Sequence, residues 1–166
     1  MKARIDVGTV SPGARSVLGS LEVFVRNSGL EPSLVDLVKL RASILNGCAY
    51  CIDAHFKDGL TRGETAQRLY EVAAWEQAPF YTERERAALA WTDAVTLISE
   101  THVPDEVFNR AREYFSEKEL VDLTIAIISV NGWSRLATSF RLVAGSYQPT
   151  GLGQQKAAET LVEERA

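Results

Sequence analysis

Residues 33–55 read Ser-Leu-Val-Asp-Leu-Val-Lys-Leu-Arg-Ala-Ser-Ile-Leu-Asn-Gly-Cys-Ala-Tyr-Cys-Ile-Asp-Ala-His. Apolar residues recur at helical spacing up to Leu45, and the pair Asn46-Gly47 then breaks the pattern. A second helical stretch opens at Cys48 and runs to about Gly59. The segment therefore predicts two helices, 34–45 and 48–59, folded back on each other around Asn46-Gly47. Ser33 stands three residues ahead of Asp36 in the manner of a capping box, where a hydroxyl accepts from a free first-turn N–H and an acid reaches back to the cap.

The same spacing returns at Thr61 and Glu64, Thr82 and Glu85, and Ser116 and Glu119. Each pair heads an apolar-periodic run, so the chain reads as all-α. A first helix is expected over 13–27 with Val17, Leu21, Phe24 and Val25 on one face. Others follow over 62–76 and 83–101, after Pro104, and over 117–144. The last contains Leu-Val-Asp-Leu-Thr-Ile-Ala-Ile-Ile-Ser-Val, apolar on nearly every side, which predicts a central or interface helix. A single all-α helical bundle over 1–145 is expected, with 146–166 as an arm that ends in a short helix.

The 166 residues and 18.3 kDa match one domain. A hydrophobic share of 46% against 24% charged is ordinary for a globular chain and excludes a disordered one. The net charge of -4 argues against a nucleic-acid surface. No apolar run approaches the roughly 18 residues of a bilayer span, so no membrane association is expected. The opening MKARIDVGTV has no signal-like apolar block. These features predict a cytoplasmic protein.

The chain has two cysteines, Cys48 and Cys51. On a helix, Cys48, Cys51 and His55 occupy positions i, i+3 and i+7 and share a face. Sulfurs one turn apart can open and close a disulfide with little backbone movement. A helix N-terminus favours the thiolate, which is the nucleophile, and His55 is placed to accept its proton. The pair is expected at the exposed mouth of the helix. In an antiparallel hairpin Asp36 lies about 13 Å down one helix and His55 about 10 Å down the other, at 1.5 Å per residue. An Asp36–His55–Cys51 relay is thus geometrically open. So are blander roles: core thiols, a packed histidine, a zinc site of Cys48, Cys51, His55 and Asp36, or a capping role for Asp36. Tyr50 suits packing or a pocket wall, His102 lies in a linker, and Trp75, Trp91 and Trp133 suit core or interface.

Asp36, eleven residues, Cys48-Ala-Tyr-Cys51, three residues and His55 resemble the E-x11-C-x2-C-x3-H signature of the alkylhydroperoxidase D-like proteins of the carboxymuconolactone decarboxylase superfamily. The resemblance covers roughly 33–145. It implies an all-helical subunit that assembles into trimers or hexamers, with peroxidase or disulfide-reductase activity. It also implies a redox pair at Cys48 and Cys51, a proton-relay histidine at His55 and the relay acid at Asp36; no cofactor or metal is expected. Asp36 is one methylene shorter than the family glutamate, and Tyr50 stands where the alkylhydroperoxidase D type carries histidine within its CxxC. The expected substrate is a peroxide, with Cys51 attacking, Cys48 resolving and an external dithiol reducing the disulfide. A disulfide reductase acting on protein or lipoyl-type partners and a metal-binding or redox-sensing oligomer are the alternatives.

Overall fold

A computed structural model describes residues 2–149. Among these the regular structure is nine α-helices and one 3-10 turn: α1 (Val7–Val10), α2 (Pro12–Arg26), α3 (Pro32–Leu45), α4 (Ala49–Thr61), α5 (Ala66–Glu71), the turn Val72–Ala74, α6 (Glu83–Thr96), α7 (Ile98–Thr101), α8 (Asp105–Arg112) and α9 (Glu117–Phe140). The all-α expectation holds. The expected terminal helix of the arm lies outside the described residues.

Two of the four expected capping boxes form. Thr82 and Ser116 each accept from the backbone N–H three residues on, and Glu85 and Glu119 close the box. The other two do not. Pro32 opens α3 with Glu31 as its cap, so exposed Ser33 already lies inside the helix and Asp36 is no capping residue. Thr61 is the last residue of α4, and Thr65 caps α5 instead. Proline at the first helical position supersedes the serine because its φ is preset and its absent N–H needs no partner there.

Two expected helices are shorter. That of 62–76 shrinks to α5 and the 3-10 turn. That of 83–101 divides at Leu97, which ends α6 and precedes the single-turn α7. α9 stops at Phe140 because Arg141 takes a left-handed backbone, φ 53°.

α3 lies at the centre. Its Leu34 and Val38 join α6, α8 and α9 in a cluster with Trp91 and Ile127. Leu37 and Leu40 join a second cluster with Leu69, Trp75 and Leu89. α9 packs along α2, α3, α4 and α6. It passes the length and mean hydropathy of a membrane span, which the apolar-run reading did not anticipate, but half of that window is buried inside the protein, as a core helix requires. Nor is it buried all round, since Val121 is 60% exposed. On α2 the expected apolar face is only partly used: Val25 is buried, whereas Val17 is 67% exposed. Gly132 permits the close α2–α9 contact, because a Cβ there would lie 2.9 Å from Leu18 Cδ2.

Candidate functional site

The α3–α4 hairpin forms as expected. Gly47 supplies the left-handed turn, φ 60°, and Cys48 N–H donates to Ser43 O at 3.0 Å. Arg62, just past α4, reaches Asp36 at the start of α3, which fixes the antiparallel arrangement. Cys48 is the N-cap of α4 and its Sγ accepts from the Cys51 N–H at 3.3 Å. The two cysteines are joined as a disulfide with Cα atoms 5.3 Å apart.

The sulfurs do not sit at an exposed mouth. Cys48 is 2% and Cys51 3% exposed, packed with Ala137, Tyr50 and Leu142. Ser134 Oγ donates to Cys51 Sγ at 3.5 Å. The correction follows from packing: α9 and the chain beyond it cover the start of α4, which a local reading of 48–55 cannot show. Cys51 is nevertheless reached from within. It lines a cavity of about 800 Å³ bounded by α2, α3, α4 and the end of α9, with residues of the segments 3–8 and 142–147 among its walls. His55, Tyr50, Asp36, Glu22, Lys39 and Arg62 line it too. Trp133 is a cavity wall, while Trp75 and Trp91 are core. His102 is exposed and far along the chain in the α7–α8 linker.

The ionisable groups form two pairs. Asp36 is 4% exposed; its Oδ1 accepts a short bond from Arg62, and its Oδ2 is buried with no hydrogen-bond partner. No direct hydrogen bond links Asp36 to His55. Burial pushes the Asp36 carboxyl above its ordinary range, against the pull of Arg62. Glu22 Oε2 accepts a short bond from Lys39 Nζ, and Glu22 Oε1 accepts from Ser129 Oγ at 2.6 Å. Burial acts to raise Glu22, but Lys39 and Ser129 together hold it below the usual glutamate range. Burial, then the charge of Lys39, push His55 down to about 3; Arg62 adds to this and Glu22 opposes it. With the disulfide closed, the imidazole is neutral at neutral pH.

Sequence reasoning brought forward Cys48, Cys51 and His55 because their relation is local. It missed Glu22, Lys39 and Arg62, whose pairings span distant elements. A signal was present: Glu22 falls on the inward face of α2 with Leu18 and Val25, and Lys39 interrupts the apolar run Leu37-Val38-Lys39-Leu40. Among the described residues no group of three or more His, Cys, Asp and Glu could hold a metal ion.

Residues 16–94 match the carboxymuconolactone decarboxylase family. The uncharacterized protein YdfG of Bacillus subtilis is 36% identical over 137 residues, which cover 82% of this chain and 93% of that protein. The chain belongs to the carboxymuconolactone decarboxylase family, as an alkylhydroperoxidase D-like member. A crystal structure from Agrobacterium tumefaciens, of a protein of unknown function suggested to be the antioxidant defence protein AhpD, superimposes with a TM-score of 0.83. It is 44% identical, covering 90% of this chain and 99% of that one. The alkylhydroperoxidase AhpD core of an uncharacterized peroxidase-related protein from Ralstonia eutropha JMP134 has a TM-score of 0.74 at 19% identity, over 84% of this chain and 75% of that one, and shares the fold. The matched residues 16–94 include the α3–α4 hairpin, with Cys48 and Cys51 at the start of α4 and His55 one turn further on.

Proposed function

We propose that this family member is a cytoplasmic thiol peroxidase in which Cys51 attacks and Cys48 resolves. One observation carries the reading: Cys51, bridged to Cys48, lines the same large cavity as His55. With the disulfide reduced, the Cys51 thiol passes its proton to His55. The developing thiolate gains from the positive end of the α4 dipole, in whose first turn Cys51 lies, and from the Ser134 hydroxyl. Thiolate sulfur attacks a peroxide oxygen, the O–O bond breaks, and the leaving alkoxide takes the proton from His55. Cys51 is then a sulfenic acid. The Cys48 sulfur displaces its oxygen as water, with the Cys48 proton, and closes the disulfide. An external dithiol restores both thiols through a mixed disulfide and is itself oxidised.

The cavity falls in the roughly 300–1,000 Å³ range of organic-ligand sites. It favours an organic peroxide, and a small or arm-borne dithiol, over a bulky protein surface. The same sulfurs and cavity also support a reductase of small or lipoyl-type disulfides. Apolar side chains left open on α2, α8 and α9, among them Val17, Phe108 and Val121, support a homo-oligomer.

Single cysteine variants test the assignment. Peroxide with a sulfenic-acid trap is expected to label Cys51 in Cys48→Ser. Labelling of Cys48 in Cys51→Ser, with none in the reverse variant, would invert the roles. Near-stoichiometric zinc that survives dialysis, with no peroxide or disulfide consumed, would favour a metal-binding module instead.

A further inference from the structure

We propose that Glu22 of α2 is the carboxylate that serves His55: a positioning residue that makes the imidazolium available as proton donor, in place of the motif acid Asp36. This rests on the reading of Cys51 and His55 as a thiol and its proton acceptor, and it identifies a residue outside the CxxC motif.

The geometry distinguishes the two acids. Glu22 and Asp36 both line the cavity with His55 and Cys51. The bonded oxygen of Asp36 is committed to Arg62, and its other oxygen has no hydrogen-bond partner. Glu22 is held on both oxygens, by Ser129 of α9 at 2.6 Å and by Lys39 of α3. It is therefore a fixed anion supplied by three elements. His55 lies in the field of two cations, Lys39 and Arg62. Arg62 is offset by Asp36, and Asp58 is occupied by the Tyr147 hydroxyl at 2.7 Å. α9 contributes neutral Ser129 and Ser134. The charge that offsets Lys39 is Glu22, which lines the same cavity as His55 and whose field favours the imidazolium.

The chemical consequence is specific. Cleaving O–O releases a basic alkoxide that needs a proton, so the step requires imidazolium. Alkylation by iodoacetamide releases iodide and needs only the thiolate. Removing the charge of Glu22 leaves Lys39 unopposed, which disfavours imidazolium but favours thiolate. The two reactions of one sulfur are thus expected to separate.

In the full-length reduced protein, Glu22→Gln is expected to slow peroxide reduction about tenfold or more. Its alkylation rate should stay within about twofold of wild type or rise, since the thiolate is not weakened. Glu22→Asp should recover part of the peroxide rate. A disulfide pair gives the same contrast where the wild type leaves peroxide untouched. Ellman's reagent expels a weakly basic thiolate, whereas bis(2-hydroxyethyl) disulfide expels a basic one, and only the second reaction should suffer. The peroxidase reading can then fail while the assignment of Glu22 stands. Should Glu22→Gln misfold around an unpaired Lys39, the double variant with Lys39→Met removes both charges, and its ratio of peroxide to alkylation rate should lie near the wild-type ratio. Equal losses in both reactions, or no loss in either, would overturn the proposal.

Discussion

His55 shows how far the surroundings move a single side chain. Its ordinary value near 6.5 would make it a ready base, but burial and the charge of Lys39 take it to about 3 in the disulfide form. Between those values the unfolded chain binds a proton that the folded one does not. Stability contributed by the neutral imidazole is therefore present above pH 6.5 and is lost as the pH falls toward 3. The loss approaches about 1.4 kcal/mol for each pH unit. Denaturant titrations of wild type and His55→Gln between pH 7 and 4 should converge as the pH falls, with wild type losing more. Parallel profiles would mean that His55 titrates normally. If His55 accepts the Cys51 proton as proposed, a thiolate one turn away in the reduced protein is expected to favour the charged imidazole that the disulfide form disfavours.

The helices show what a local reading captures. The break at Asn46-Gly47 and the cap at Ser116 are written in a few adjacent residues, so α3, α4 and the start of α9 were legible. Caps are less specific than they look, because Ser or Thr three residues before an acid is common. Pro32 displaced Ser33, and Thr65 displaced Thr61. The variants Thr82→Ala and Ser116→Ala should each cost about 1 kcal/mol in equilibrium unfolding. Exposed Ser33→Ala and Thr61→Ala should stay within about 0.5 kcal/mol of wild type. A full capping penalty at Ser33 would contradict the observed start of α3. The site divides in the same way. Cys48, Cys51 and His55 lie within one stretch of α4, whereas Glu22 meets Lys39 across 17 residues and Ser129 across 107. Only a polar residue on an apolar face hints at such a pairing in advance.

Across the whole molecule, the cavity between α2, α3, α4 and α9 is completed by the segments 3–8 and 142–147. Arg4 donates to Phe140 O and Ser139 O, Gly145 N–H donates to Asp53, and Lys57 donates to Tyr147 O, so the first segment is tied to the end of α9 and the segment after α9 to the middle of α4. The burial of the disulfide is thus a property of the assembled fold and not of the CxxC stretch. The faces of α8 and the first turns of α9 are less covered. A groove of about 360 Å³ between α6, α8 and α9 holds Trp91, Phe108, Leu120 and Val121. Phe108 is 44% and Val121 60% exposed beside it. Light scattering should give a mass several times 18.3 kDa. Val121→Glu with Ile128→Glu should lower that mass while helical content is kept. A wild-type mass of one chain would contradict the oligomer.

The most direct test of the central claim is a single turnover. Fully reduced protein is mixed with one equivalent of an organic hydroperoxide, and thiols and products are counted by mass spectrometry. One alcohol is expected to form and one Cys48–Cys51 disulfide to close for each peroxide consumed, with no reaction in Cys51→Ser. Peroxide left intact beside two free thiols, or consumed equally well by Cys51→Ser, would contradict it.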